Sequence, residues 1–323
     1  MIGRPSFHLN GLRCCRWALA GTVCLLVMSC GTGIEMTEHV TNKDVQRVIE
    51  QVDSRQATVT LEAYQDSLPA WKQGKRFWVA DNQVTQLFAH QQDYDKDTLK
   101  LAGRVLNYVG YHTGGLFNED NRYVFIDLFD PVANLTYSCR AGRLQDAYRR
   151  GFAVPLLIDL DRVEHVARQI EDKDYYIRTG IWYDPQREQM MNGRHFIKVH
   201  IDSVLPGNAV LPLRVIFTTI DTRQQAMVWM SDDSSSMQGR SFDALFVSTD
   251  PHLAYPGISD TNWEYITRAQ VVAGMTKEEC RLALGSPKRI NENPDQSGMR
   301  EYWYYDGGSY LFFVDGLLHQ FRK

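Results

Sequence analysis

The sequence predicts an α+β protein rich in strands. Two small β units with connecting helices precede a C-terminal domain of two helices and a three-stranded meander. Three observations predict this class. Val124, Ile126 and Leu128 alternate with Tyr123, Phe125, Asp127 and Phe129, the two-residue period of a half-buried strand. Leu160, Val163, Val166, Ala167 and Ile170 recur instead at helical spacing. Asp315-Gly316, set between Tyr310–Val314 and Leu317–Phe321, is a tight-hairpin signal. The chain has 323 residues, 44% hydrophobic and 23% charged, values ordinary for a globular protein, so disorder and collagen-like repeats are excluded. Its net charge of -4 offers no basic field, and no nucleic-acid partner is expected.

Residues 1–29 read as an address. Arg4, Arg13 and Arg16 form a positive segment, and Trp17 to Ser29 then runs without a charge. That run is too short to span a bilayer core of about 30 Å comfortably, and it suits a signal-peptide core. It stops at Val27-Met28-Ser29-Cys30-Gly31, where a small residue directly precedes a cysteine. This resembles a bacterial lipobox, in which the cysteine is acylated and becomes the first residue of the mature chain. The resemblance implies a covalent lipid on Cys30, no other cofactor, and a membrane held through that anchor. Several acyl chains hold a soluble domain stably, because each buried methylene contributes about 0.8 kcal/mol. The alternatives are a plain secretory signal with a chance cysteine and a signal anchor that stays attached. Gly31, where an Asp would mark the inner membrane in enterobacterial sorting, implies an outer-membrane lipoprotein facing the periplasm. Processing takes the net charge to -7, because the removed segment carries three Arg and no acid. Cys14, Cys15, Cys24 and Cys30 belong to the signal or lipid site. Cys139 and Cys280 remain, too few for a disulfide scaffold and read as small core side chains.

Residues 30–57 are a tether followed by an amphipathic helix over Asn42–Gln56, with Val45, Val48, Ile49 and Val52 on one stripe. Residues 58–142 form the first β unit. Arg76–Val79 and Val84–Phe88 are expected as strands joined around Asp81-Asn82, with Leu99–Tyr111, Arg122–Asp130 and Leu135–Arg140 following. Asp93 to Asp97 imitates the opening of an EF-hand loop, but Thr98 stands where Gly is needed and Arg104 where a bidentate Glu is needed. It reads as a solvated acidic turn.

Residues 143–231 hold the helix over Asp159–Asp172 and a second series of strands, Tyr175–Tyr183, His195–Val204, Leu213–Asp221 and Ala226–Ser231. Each series contains a strand, an Asp-containing turn and an aromatic strand, which suggests two related SH3-like units of about five strands. Residues 232–261, with Asp232 to Ser236 and Pro251, Pro256 and Gly257, read as a linker.

Residues 262–323 carry the most information. Thr261-Asn262-Trp263-Glu264 and Thr276-Lys277-Glu278-Glu279 both have the capping-box spacing. The second helix should end at Gly285, with Pro287 preventing its resumption. Three strands follow: Arg300–Tyr305, Tyr310–Val314 and Leu317–Phe321. Gly274-Met275-Thr276, Glu279-Cys280, Leu284-Gly285-Ser286-Pro287, Trp303-Tyr304-Tyr305 and Phe313-Val314-Asp315-Gly316-Leu317 resemble the SmpA/OmlA (BamE-like) domain. Cys280 stands where that family usually has Val. The resemblance implies an αα-βββ (BamE/BLIP-like) domain on an envelope lipoprotein. The best-known member of that family is a small subunit of the outer-membrane β-barrel assembly machinery. In that subunit the domain lies close behind the lipid, whereas here about 230 residues intervene. The N-terminal part resembles uncharacterised β-rich lipoproteins.

The chain contains no H-E-x-x-H, G-x-S-x-G, Walker A or G-x-G-x-x-G. His195 and His200, five apart on an expected strand, point to opposite faces and do not suit a shared metal. Tyr175, Tyr176, Trp182 and Tyr183 are most simply packing residues of small β units. Trp303, Tyr304, Tyr305, Tyr310 and Phe312 form the candidate interaction surface, because a sheet buries only one face. The expected function is therefore non-catalytic. A lipid-anchored scaffold would bind an envelope protein, in outer-membrane protein assembly or envelope maintenance. The alternatives are a periplasmic lipoprotein that binds a small ligand or glycan between its β units, and an unrecognised hydrolase.

Overall fold

The computed structural model describes residues 59–88, 99–114, 123–131, 133–140, 148, 152–231, 239–295 and 298–322. The signal, Cys30, the tether, the Asn42–Gln56 helix, the Asp93–Asp97 run and the Asp232–Ser236 loop lie outside the described residues. The described chain is β-rich, with three antiparallel sheets and few helices.

The first sheet has the order β4-β3-β2-β1-β5. Its strands are β1 (Arg76–Val79), β2 (Val105–Gly114), β3 (Tyr123–Asp130), β4 (Ala133–Arg140) and β5 (Leu157–Asp159). Alternation in β3 works as expected: Val124, Ile126 and Leu128 are buried. Asp130 continues the same inward row, and the Arg104 guanidinium meets its carboxylate at 3.0 Å. Val84–Phe88 is not a strand; Asn82–Leu87 is a 3₁₀ turn. The hairpin chemistry of Asp81-Asn82 is spent otherwise. Asp81 accepts the Gln83 N–H as a cap, and Asn82 Oδ1 accepts the N–H groups of Leu101 and Ala102, each at 2.9 Å. β1 then pairs with β2 and β5.

Helix α1 (Leu160–Ile170) follows, capped by Asp159, whose carboxylate accepts the Asp161 N–H. Its buried stripe of Val163, Val166 and Ile170 packs into the core of the second sheet. Lys75 ties this helix to the first sheet. Its Nζ, on a side chain only 3% exposed, lies 3.0 Å from Asp66, 2.8 Å from Asp159 and 2.8 Å from Asp161. Burial disfavours the charged Lys75, but hydrogen bonds to Asp159, Asp161 and Tyr64 outweigh it and hold the ammonium well above its ordinary range.

The second sheet has seven strands rather than about five, in the order β12-β6-β9-β10-β11-β7-β8. These are β6 (Asp174–Ile177), β7 (Ile181–Tyr183), β8 (Met190–Asn192), β9 (Ile197–Pro206), β10 (Leu213–Thr219), β11 (Gln225–Met230) and β12 (Phe246–Val247). The expected strand Tyr175–Tyr183 is split into β6 and β7. The turn between them lets Gly180 O accept the Gly193 N–H at 2.8 Å. A Cβ on Gly193 would sit 2.0 Å from the Trp182 ring, so this position requires glycine.

The stretch read as a linker contains regular structure. Helices α2 (Phe242–Leu245) and α3 (Pro251–Ala254) flank β12, and Phe242, Leu245 and Phe246 are buried in the second core. Short elements with no long periodic run escape a periodicity reading.

Helices α4 (Asp260–Thr267) and α5 (Lys277–Leu284) open the C-terminal part. Ser259, not Thr261, caps α4, its side chain accepting the Asn262 N–H. The Thr276 capping box forms in full: Thr276 Oγ1 accepts the Glu279 N–H and the Glu279 carboxylate accepts the Thr276 N–H. Gly285 ends α5 at φ +78°. Four strands follow rather than three: β13 (Arg289–Asp295), β14 (Gly298–Tyr304), β15 (Tyr310–Val314) and β16 (Leu317–Arg322), paired in that order. The Arg289–Asp295 run contains Asn, Glu and Pro and no alternating apolar row, so β13 carried no sequence signal. Asp315 and Gly316, at φ +51° and +83°, turn the last hairpin.

Candidate functional site

The C-terminal sheet has an inner and an outer face, and β14 decides which is which. Trp303 is fully buried beneath the helices and packs against Phe313 with ring centroids 4.7 Å apart and ring planes tilted by 50°. Its indole N–H donates to Glu301 Oε2 at 3.1 Å, and Lys277 forms an ion pair with the same carboxylate. Trp303 is therefore a core residue and not part of an interaction surface. Tyr305 lies on the same inward side, packed against the core, and its hydroxyl donates to the Gly285 carbonyl at 3.2 Å. Burial pushes its phenol above the ordinary range.

The outer face carries Tyr304, Tyr310 and Phe312, and adds Tyr302, which sequence reasoning missed. Cross-strand register sets Tyr302 against Phe312 and Tyr304 against Tyr310. Tyr302 and Phe312 stack at 4.6 Å, and the Arg289 guanidinium lies 4.4 Å over the Tyr304 ring. His319 meets Phe312 edge-on at 5.8 Å. Leu317 at the end of this face is 50% exposed. These ring contacts are all to neighbours in the same sheet. Alternation alone could have separated Tyr302 and Tyr304 from Trp303 and Tyr305. Choosing the outer pair required knowing that the helices claim Trp303.

The second and third sheets meet at a knob, His195-Phe196, just before β9. Phe196 takes φ +58°, an uncommon conformation for a bulky residue, and inserts into the C-terminal core beside Trp263, 6.3 Å between ring centroids. The His195 N–H donates to the Thr267 carbonyl at 3.0 Å. His195 is 7% exposed, and its Nε2 has no hydrogen-bond partner among the described residues. Burial pushes its pKa down to about 4, although the Leu282 and Ile266 carbonyls favour the protonated ring. The expected strand His195–Val204 begins only at Ile197, so His195 and His200 do not share a strand; His195 precedes β9, and His200, on β9, pairs with Asp174 at 2.9 Å.

Two clefts flank the knob. The smaller, about 430 Å³, is lined by Tyr176, Lys198, His252, Trp263 and Glu264 among others. Partial burial opposes the charged Asp250, but the His252 N–H, His252 Nδ1 at 2.8 Å and the Tyr176 hydroxyl at 3.0 Å outweigh it and lower the Asp250 pKa. His252 packs 4.3 Å from Trp263. An oriented histidine can move a proton, but nucleophilic chemistry needs a partner. Thr267, the aliphatic hydroxyl in the lining, donates to the Glu264 carbonyl at 3.1 Å.

The larger cleft, about 970 Å³, lies between Arg178 to Ile181 of the second sheet and the ends of α4 and α5. Arg178, Arg268 and Arg281 line it with His195, and no Asp or Glu does. Of the four aromatics near β6 and β7, Tyr175 and Trp182 are buried. Burial raises the Cys139 thiol pKa and pushes that of Cys280 up to about 12, so neither is an activated thiolate. Among the described residues no group of three or more His, Cys, Asp or Glu could hold a metal ion, and no helix is long and apolar enough to cross a membrane.

No family model, no curated protein and no solved structure matches the chain.

Proposed function

We propose that this chain is a lipid-anchored protein of the bacterial envelope that acts as a binding scaffold, held at the outer membrane through Cys30 and facing the periplasm. Its C-terminal part works as a BamE-like module with an added fourth strand, and the two preceding sheets are SH3-like units that hold it away from the lipid. The partner is an envelope protein that covers the outer face of the C-terminal sheet, in outer-membrane protein assembly or envelope maintenance. The observation that carries this reading is the row of Tyr302, Tyr304, Tyr310 and Phe312, half-buried on one face; among the described residues, the ring contacts of Tyr302, Tyr304 and Phe312 are to their own sheet. Aromatic side chains flanked by Arg have the composition of interface cores, where they bury large area at little entropic cost. The Ser29-Cys30-Gly31 sequence after an uncharged run supports the anchor.

A photo-crosslinking residue in place of Tyr310, used in cells, tests the binding face. The expected result is an adduct with a membrane-associated protein that falls at least about tenfold in a Tyr302→Ala/Phe312→Ala double variant, the scale of losing hot-spot aromatics. An adduct-free chain, or an adduct indifferent to the double variant, contradicts the proposal.

A further inference from the structure

The larger cleft carries an inference beyond the aromatic face, and it stands or falls independently of the anchor. Three arginines from three elements line it: Arg178 after β6, whose guanidinium donates to the Asp243 carbonyl at 3.1 Å, Arg268 after α4, and Arg281 within α5, whose guanidinium lies 4.6 Å over the Trp303 ring. No carboxylate appears in its lining, although the chain as a whole is acidic with net charge -4. A lining of one charge sign between low-dielectric walls focuses the field and attracts a ligand of the opposite sign. Arginine also presents a planar donor fork that fits carboxylates and phosphates.

Size and apolar content separate these ligands. At about 970 Å³ the cleft is far larger than a single phosphate requires. Ile181, Leu282 and Leu284 interleave with the arginines along its wall, and Ile181 is 45% exposed. Asn192 of β8 also lines it, and among the described residues β8 is the last strand of the second sheet, with its outer side a sheet edge. A sheet edge beside a pocket is the arrangement that takes an extended peptide, with main-chain pairing for affinity and pockets for alternate side chains. We propose that this cleft binds an extended peptide segment of a second protein that carries both acidic and apolar side chains.

The test uses the full chain in detergent and a short fluorescein-labelled peptide of mixed Glu, Leu and Ser, read by anisotropy. Binding should appear at low salt and weaken steeply from about 50 mM to about 300 mM salt, where screening shortens the reach of each charge. Arg268→Glu should weaken it about tenfold, the scale expected when a like charge faces the ligand. Arg268 is suited to this reversal because its ion pair is with Glu264 of the preceding α4, at 2.8 Å on the surface. Arg178→Gln should weaken binding as well, so the result does not depend on one variant's folding. Equal binding of the same peptide with Lys for Glu would overturn the proposal. So would no binding at low salt, indifference to both arginine variants, or displacement by millimolar inorganic phosphate at constant ionic strength. Binding to phosphatidylglycerol vesicles without binding to the peptide would assign the cleft to lipid headgroups instead.

Discussion

At His195 burial competes with two carbonyls, and burial prevails. The ring's pKa falls from an ordinary 6.5 to about 4, so the folded state binds this proton less readily than the unfolded chain. The sign follows by linkage: the contribution is fully present above about pH 6.5 and is lost as pH falls through about 4. The full span corresponds to about 3 kcal/mol. Urea unfolding of the wild type at neutral and mildly acidic pH should show this loss, and His195→Gln should flatten that part of the pH dependence. An identical pH slope in the variant would show that His195 does not titrate as described. Neither the depressed pKa nor the inserted Phe196 was legible in the sequence. A His-Phe dipeptide before a strand looks like any other, and its role comes from the helices that close over it. Cys280 was legible, because its spacing from Leu284 marked the buried face of a helix, and it is fully buried.

Where elements begin and end, local chemistry decided more than hydrophobic periodicity. The Thr276 box was readable because both of its hydrogen bonds lie within four residues of sequence. Glu279 does more than complete that box. It is nearly buried, and its second oxygen accepts from Asn262 Nδ2 at 2.6 Å, joining α4 to α5. Thr276→Ala should cost about 1 kcal/mol, the usual loss for a cap. Glu279→Ala should cost more, because it also leaves Asn262 without this acceptor. Equal melting temperatures for wild type and both variants would contradict the capping account. The failures at this scale share one cause. Val84–Phe88, with its apolar ends, resembled a strand, but Asp81 and Asn82 used their side chains to cap a turn and pin a loop. β13 and β12 were missed because one has no alternating apolar row and the other has two residues; each exists only because a neighbouring strand is there to pair with it.

Among the described residues, at the scale of the whole fold, three sheets and three hydrophobic clusters are joined by particular side chains, and Ile158 of the first sheet already lies in the second cluster. Lys75 and α1 link the first sheet to the second, and Phe196 links the second to the third. The β-rich α+β class was legible because alternating strands dominate the composition of the described segments. Which strands share a sheet was not, since β1 reaches past its sequence neighbours to β5 and β7 crosses to β11. Such long-range pairings leave no local pattern. The proposed function depends on where this body is held, and that depends on one thiol. Growth with radiolabelled palmitate, followed by mass measurement of the purified N-terminus, tests it directly in the wild type and in Cys30→Ala. The account predicts a labelled wild-type chain that begins at Cys30 and an unlabelled variant. An unlabelled wild-type chain that retains its first residues through Ser29 would contradict it.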